Sequence, residues 1–340
     1  MAWKVPASET PKQGGKFGKG FAMNDAIIGS TGFVGGHLLR QHAFEGRFNS
    51  RTIQHAVGQA YGTVVCAAAP GSMFEANRFP EQDKARIEAL IGYLSTIHAR
   101  KLVLISSIAV LADCAGGEDE GTSSYVTNLA YGRNRRALEV FCTERFESCL
   151  VVRLPALFGE GLKKNFLFDI LNPMPSMVSE AAWAELSKRL PAELRAGLSA
   201  FYAWSDSLKL FVIDREALTA TGRRAAYDTA VTELGMSAVG FTNPNTRFQY
   251  YDMNRLWADI ELCLDRAIDV IHLAPEPLMA GEIFAALTGR PMPESAARLH
   301  REDMRTRHAA VFGREGNYIA GSTETMDLLK QFFAEESARA

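Results

Sequence analysis

A short apolar run, Ala26-Ile27-Ile28, stops at Gly29, and two more glycines follow at a spacing of three, Gly32 and Gly35. This pattern demands that a buried strand turn sharply into a helix. The first glycine permits the tight turn. The second lets a pyrophosphate approach the backbone, and the third lets helix and strand pack closely. The helix then aims its free N–H groups and the positive end of its dipole at the phosphates. A glycine spacing alone is weak, but this one has a strand before it and a helix after it. It is read as a dinucleotide-binding turn, with Gly29, Thr31, Gly32, Phe33, Val34 and Gly35 in the contact set.

The strand–helix rhythm continues. A helix is expected from Phe33 to Phe44, a weak second strand from Phe48 to Ile53, and a third strand from Thr63 to Ala69 that Pro70-Gly71 stops. Ala67 and Ala68, at the end of that third strand, join the cofactor-binding set. Pro80 opens a long helix with Ile87, Leu90, Ile91, Leu94 and Ile97 on one face. Lys101–Ser106 reads as a fourth strand, Tyr125–Phe146 as a helix and Cys149–Arg153 as a fifth strand. This alternation implies an α/β fold, a doubly wound parallel sheet with helices on both faces. After Pro155 the rhythm breaks. Residues 162–250 hold short helical patterns and the aromatics Trp183, Phe201, Tyr202 and Trp204, read as a small core rather than a base-stacking platform. A sixth strand is expected at Asp269–Leu273 and a helix at Gly281–Gly289. The expected division is a disordered arm at 1–22, a dinucleotide-binding domain at 23–160, and a smaller C-terminal substrate-binding subdomain at 161–340, interleaved with the last sheet elements at 268–290. The arm carries Lys4, Lys12, Lys16 and Lys19, and Met23 directly precedes the first strand as a candidate natural start.

Composition narrows the function. Apolar residues make up 47% of the 340, enough for a sizeable core. The net charge of −2 argues against a nucleic-acid partner. No apolar stretch is long enough to cross a bilayer. The five cysteines form no C-x-x-C pair, which fits a reducing cytoplasm, and no Cys/His cluster has metal-ligand spacing. Beyond the second strand, the position that reads the adenosine ribose offers Asn49, Ser50 and Arg51 but no acid. A carboxylate there would favour NAD, whereas Arg51 can pair with a 2′-phosphate. NADP is thus slightly favoured within NAD(P), with a solvated surface arginine as the other reading.

Two further segments carry chemistry, Ser106-Ser107-Ile108-Ala109-Val110 after the fourth strand and Tyr131-Gly132-Arg133-Asn134-Arg135 with Glu139 on the following helix. With the glycine turn and Arg153-Leu154-Pro155-Ala156-Leu157-Phe158-Gly159, they make the chain resemble the extended short-chain dehydrogenase/reductase family, the NAD-dependent epimerases, dehydratases and reductases of nucleotide sugars. The resemblance covers about residues 24–165 well and the remainder loosely. It implies a Rossmann-type fold, catalytic roles for Ser107, Tyr131 and residue 135, a cofactor-binding role for Tyr131 and residue 135, and a homodimer formed through paired helices. The family pattern ends in lysine where this chain has Arg135.

Tyr131 and Arg135 are four residues apart and share a helix face. A free tyrosine has a pKa of about 10, and a neighbouring cation favours its phenolate. Tyr131 would exchange a proton with a sugar hydroxyl or carbonyl while the nicotinamide exchanges a hydride. By resemblance, Ser107 would bond the same oxygen, and residue 135 would hold the nicotinamide ribose. Arginine supplies the charge and the donors but is forked and does not give up its proton. Either the site is adapted to arginine, the favoured reading since Ser107 and Tyr131 are both kept, or catalysis has faded while binding remains.

The resemblance also implies what is missing. The 4,6-dehydratases of the family have an Asp-Glu pair where this chain has Ile108 and Ala109, and no histidine occurs between His98 and His272. What remains is an epimerase or reductase needing one tyrosine. Lys163, Lys164 and Asn165, beyond the fifth strand, and Arg247 are candidate ligands for a nucleotide-sugar substrate. The alternatives are a non-catalytic, NADP-sensing protein on the same fold and a reductase of a small carbonyl compound.

Overall fold

The computed structural model describes residues 24–339, so the expected arm and Met23 lie outside the described residues. The first of two compact units comprises the described chain up to Gly159, with Gln249–Glu276 and Glu302–Thr325. It is built on strands β1 (Ala26–Ile28), β2 (Gly46–Phe48), β3 (Ala60–Cys66), β4 (His98–Ser107) and β5 (Cys149–Leu154), joined at the edge by Val270–His272. All six are parallel, in the order β2-β1-β3-β4-β5-(Val270–His272). The chain leaves β1 for β2 on one side and then returns to β3 on the other, so the winding reverses between β1 and β3. Ligands of open α/β sheets bind in the crevice at such a reversal, beyond the carboxyl ends of the strands.

The near-continuous apolar strands follow from burial on both faces. Alternate residues feed two cores. Ile27, Val103, Ile105, Leu150 and Val152 pack with Leu38 of helix α1 (Phe33–Gln41) and with Trp257 and Ile260 of the helix Leu256–Asp265. Ala26, Ile28, Leu102, Leu104 and Val151 pack on the other side with Ile87, Leu90 and Leu94, which lie beyond the short helix α2 (Met73–Arg78) on helix α3 (Pro80–Leu94). Leu138 and Cys142 of helix α4 (Ala130–Arg145) complete that face. The fold is therefore the expected Rossmann-type parallel sheet with helices on both faces.

Several boundaries differ from expectation: α1 ends at Gln41 rather than Phe44, β3 spans 60–66 rather than 63–69, and β4 starts at His98 rather than Lys101. The second strand is 46–48 rather than 48–53, because Asn49 closes a turn. Its carbonyl accepts from Thr52 N (3.0 Å) and its side-chain oxygen from Arg51 N (2.9 Å). Helix α4 starts at Ala130 rather than 125, because Tyr125 bridges Leu111 and Val126 N donates to the Val110 carbonyl at 2.9 Å. That backbone bonding holds 125–126 extended.

The second unit comprises Glu160–Phe248, Pro277–Arg301 and residues 326–339. Its antiparallel three-stranded sheet places Leu210–Ile213 between Met177–Val178 and Tyr202–Ser205. Phe201 and Tyr202 sit in a core with Leu186, Leu198, Tyr227 and Val231. Trp183 stacks on Phe211 at 4.3 Å, whereas Trp204 is 40% exposed.

Candidate active site

The glycine turn sits at the winding reversal. Gly29 has a φ of +96°, and a Cβ there would lie 2.4 Å from the Ala67 carbonyl oxygen. A Cβ on Gly35 would lie 2.1 Å from the Gly29 oxygen. Both positions exclude any side chain. Gly32 is different, since its Cβ would meet nothing nearer than the Gly29 oxygen at 3.4 Å. The space over Gly32 is therefore open. Gly32 caps α1, whose first turn carries no acid, and the first N–H groups of a helix have no intrahelical acceptor. Thr31, Phe33 and Val34 line the same turn, and Ala67 and Ala68 face it across the sheet end. The turn fits a dinucleotide phosphate. Arg51 is exposed in the turn after β2.

Ser107 ends β4. Its Oγ accepts from Ala109 N at 3.1 Å, which leaves the hydroxyl hydrogen available to another acceptor. Ile108 is buried with Val110, Leu111 and Met304, so the position after Ser107 serves packing. Tyr131 lies in the first turn of α4. Gly132 permits this approach, because a Cβ there would lie 2.0 Å from the Ala109 carbonyl oxygen. The helix is thus pressed against the turn that follows Ser107. Asn77, on α2, accepts from Tyr131 N at 3.0 Å and satisfies one of the free donors of the helix start.

Arg135 is only 2% exposed, and its guanidinium is fully engaged on one side. It forms an ion pair with Asp83 of α3, which is 3% exposed, and it donates to the Tyr131 carbonyl at 3.2 Å and to the Pro70 carbonyl. Its Cζ lies 4.0 Å from the centre of the Tyr131 ring. The expected cation beside the tyrosine is thus present, and it is one half of a matched pair. One donor atom, the buried Arg135 Nε, has no hydrogen-bond partner among the described residues.

Behind these residues lies a buried polar chain. Ser106 donates to Glu139 at 2.6 Å, and Arg153 grips the same carboxylate with Nε at 3.0 Å and a terminal nitrogen at 2.8 Å. Burial alone would raise the Glu139 pKa, but Arg153, Ser106 and Arg136 together hold it below the usual carboxylate value. Arg153 also meets His272 Nε2 at 3.1 Å, and His272 Nδ1 meets the Arg305 carbonyl at 2.9 Å. Burial pushes the His272 pKa down, with Arg153 adding to the effect against an opposing pull from Glu120. The neutral ring thus donates from Nδ1 and accepts at Nε2. Glu120 receives His272 N at 2.7 Å and Thr306 Oγ1 at 2.6 Å, which covers the outer edge of the last strand.

The remaining sequence candidates belong to the second unit. Lys163 and Lys164 are exposed. Asn165 caps the helix Phe166–Leu171, accepting from Leu167 N at 3.0 Å and Phe168 N at 3.2 Å. Arg247 is exposed on a short strand paired with Leu278–Met279. Asp169, which spacing did not single out, has a carboxyl pushed up to about 7 by burial, against a lowering pull from Arg215. Asn77 and Asp83 were also missed; they lie 54 and 52 residues from their partners, and no local pattern connects such positions. Among the described residues, no group of His, Cys, Asp and Glu could hold a metal ion, and no helix is long and apolar enough to cross a membrane.

No family model and no curated protein sequence matches the chain. Solved structures do. A UDP-N-acetylglucosamine 4-epimerase from Methanobrevibacter ruminantium M1, in complex with UDP-N-acetylmuramic acid, superposes with a TM-score of 0.60 at 10% identity, over 94% of this chain and 99% of that one. A dTDP-4-dehydrorhamnose reductase from Bacillus anthracis in complex with NADP gives 0.55 at 13% identity, over 94% and 100%. MoeE5 in complex with UDP-glucuronic acid and NAD gives 0.56 at 14% identity, over 92% and 99%. At these identities the likeness is one of architecture, and it extends over nearly the whole chain. The protein has the fold of the extended short-chain dehydrogenase/reductases, in the form shared by nucleotide-sugar epimerases and reductases.

Proposed function

We propose that the protein is an NAD(P)-dependent epimerase or reductase of a nucleotide-activated sugar, with Tyr131 as its acid/base. The observation that carries this reading is the seating of Tyr131. Gly132 presses its helix onto the turn after Ser107, and Asn77 and Arg135 hold its backbone from both sides. When bound, the nicotinamide supplies or accepts the hydride. Tyr131 holds or gives the proton at the reacting oxygen, and the Ser107 hydroxyl donates to that same oxygen. Arg135 Nε and the open backbone at Gly32 bind and orient the cofactor. Arg51 and the lack of an acid at 49–52 favour NADP. Lys163, Lys164, Asn165 and Arg247 are the proposed contacts to the nucleotide sugar. Ile108 and Ala109 offer no acid/base pair, so dehydration is not part of the reading.

Of the fold relatives, two are in complex with UDP-sugars and one is named as a dTDP-4-dehydrorhamnose reductase, which makes a panel of UDP- and dTDP-sugars, with NADPH or NADH, the assay of choice. Tyr131→Phe is expected to lower turnover by about 10²–10⁴-fold with cofactor binding retained. Full turnover in that variant would refute the acid/base role, and a 4-keto-6-deoxy product would refute the exclusion of dehydration. A second reading draws on the Arg135–Asp83 pair, which leaves no unmatched cation beside the tyrosine. It takes the protein as a non-catalytic NADP sensor, and it predicts cofactor affinity without hydride transfer on any sugar of the panel.

A further inference from the structure

We propose that Asp83 is a positioning residue of the cofactor site, acting through Arg135; the proposal rests on the NAD(P)-binding part of the reading above. Asp83 lies on α3, outside every motif of the site, yet it is as buried as the arginine it meets. Its Oδ2 takes two donors, Arg135 and the side-chain nitrogen of Asn134 at 2.8 Å, so the carboxylate is fixed from two directions. The guanidinium is planar, and its five donors keep fixed directions relative to one another. Once one terminal nitrogen is set by Asp83, the other must point to the Pro70 carbonyl, and Nε–H must point where no protein atom accepts it.

Each of these directions matters to the cradle. Pro70 is three residues beyond Ala67, whose carbonyl packs against the first glycine of the turn. The Tyr131 ring lies against the guanidinium plane, and the Tyr131 carbonyl accepts from it. Asp83 therefore governs, through one rigid group, the segment that follows β3, the seat of the tyrosine and the direction of the buried Nε donor that no protein atom accepts. A lysine at 135 would need no such partner to set its rotation, because an ammonium is a point charge on a flexible stem. The carboxylate and the guanidinium form one device.

A buried ion pair is weak support for a fold, and replacing both partners with apolar residues of similar volume is often neutral. Positioning can thus be separated from folding. The probes are NADPH and NADH, titrated at equilibrium against the full chain by the fluorescence of the reduced nicotinamide. Asp83→Asn is expected to raise the NADPH dissociation constant about tenfold or more, and Asp83→Glu to recover part of the loss. The double variant Asp83→Leu, Arg135→Met is expected to keep the thermal midpoint within a few degrees while losing affinity at least as much. Wild-type affinity in the double variant would overturn the proposal, and so would its failure to fold, which would make the pair a folding element. Wild-type protein that binds neither NADPH nor NADH would instead overturn the cofactor reading itself.

Discussion

The guanidinium of Arg135 has four uses at once, to Asp83, to the carbonyls of Pro70 and Tyr131, and to the Tyr131 ring. Lysine cannot reproduce that set. Arg135→Lys is therefore expected to lower both stability and turnover, with a stability loss of about 1–3 kcal/mol from the carbonyl and carboxylate acceptors left short of donors. Chemical denaturation and steady-state turnover on the same preparation would check this. A gain in turnover would mean that the site has decayed from a lysine form. The residues proposed to react stand out in the sequence because their pattern is local: Ser107 follows a strand, and Tyr131 and Arg135 share a helix face. Their supports do not. Asn77 and Asp83 reach them only because α2, α3 and α4 pack together, and sequence spacing carries no record of that packing.

At the scale of elements, the glycine turn separates fold from ligand. Gly35→Ala would place a methyl group within 2.1 Å of the Gly29 oxygen, a backbone atom that cannot turn aside. Overpacking of this kind costs about 1–3 kcal/mol or more. Gly32→Ala meets nothing nearer than 3.4 Å, so its thermal midpoint should stay close to wild type while NADPH affinity falls if the proposed phosphate seat lies over this glycine. Equal thermal loss in both variants would contradict this division. The strands of the main sheet were legible from their apolar runs, since both faces are buried and every residue counts. Boundaries were less so. The start of α4 was masked because Tyr125 and Val126 suit a helix face as well as the short pairing with 110–111 that they make. The end of β2 was masked by Asn49, whose side chain closes a turn on its own backbone.

Across the whole molecule, the chain passes from one unit to the other several times, and the sheet is completed by an edge strand that arrives more than a hundred residues after β5. That strand brings His272 to Arg153 and so joins the late chain to the buried carboxylate of Glu139. Acid should undo this link in two stages. His272 is held neutral in the fold, so stability is lost as pH falls below the unfolded value of about 6.5, where only the unfolded chain takes the proton. Glu139 is depressed, so its contribution is present above about 4.3 and is lost as pH falls through its lower folded value. Asp169 works the other way in the second unit; its carboxyl is raised to about 7, and the fold gains as pH falls through that range. The His272 contribution is therefore read as a difference. Unfolding free energy of wild type minus His272→Gln should decline from pH 7 to 5, and a flat difference would exclude the histidine.

The Asp83–Arg135 pair also bears on how such proteins are found. An arginine placed in this buried seat without its carboxylate would leave a bare charge, at a cost of about 3–5 kcal/mol. The arginine is therefore tolerated in this seat only with its carboxylate. A search keyed to Tyr-x-x-x-Lys would pass over this chain. A paired signature, an aspartate on the helix before β4 and a Tyr-x-x-x-Arg on the helix after it, would gather chains that hold the same buried pair.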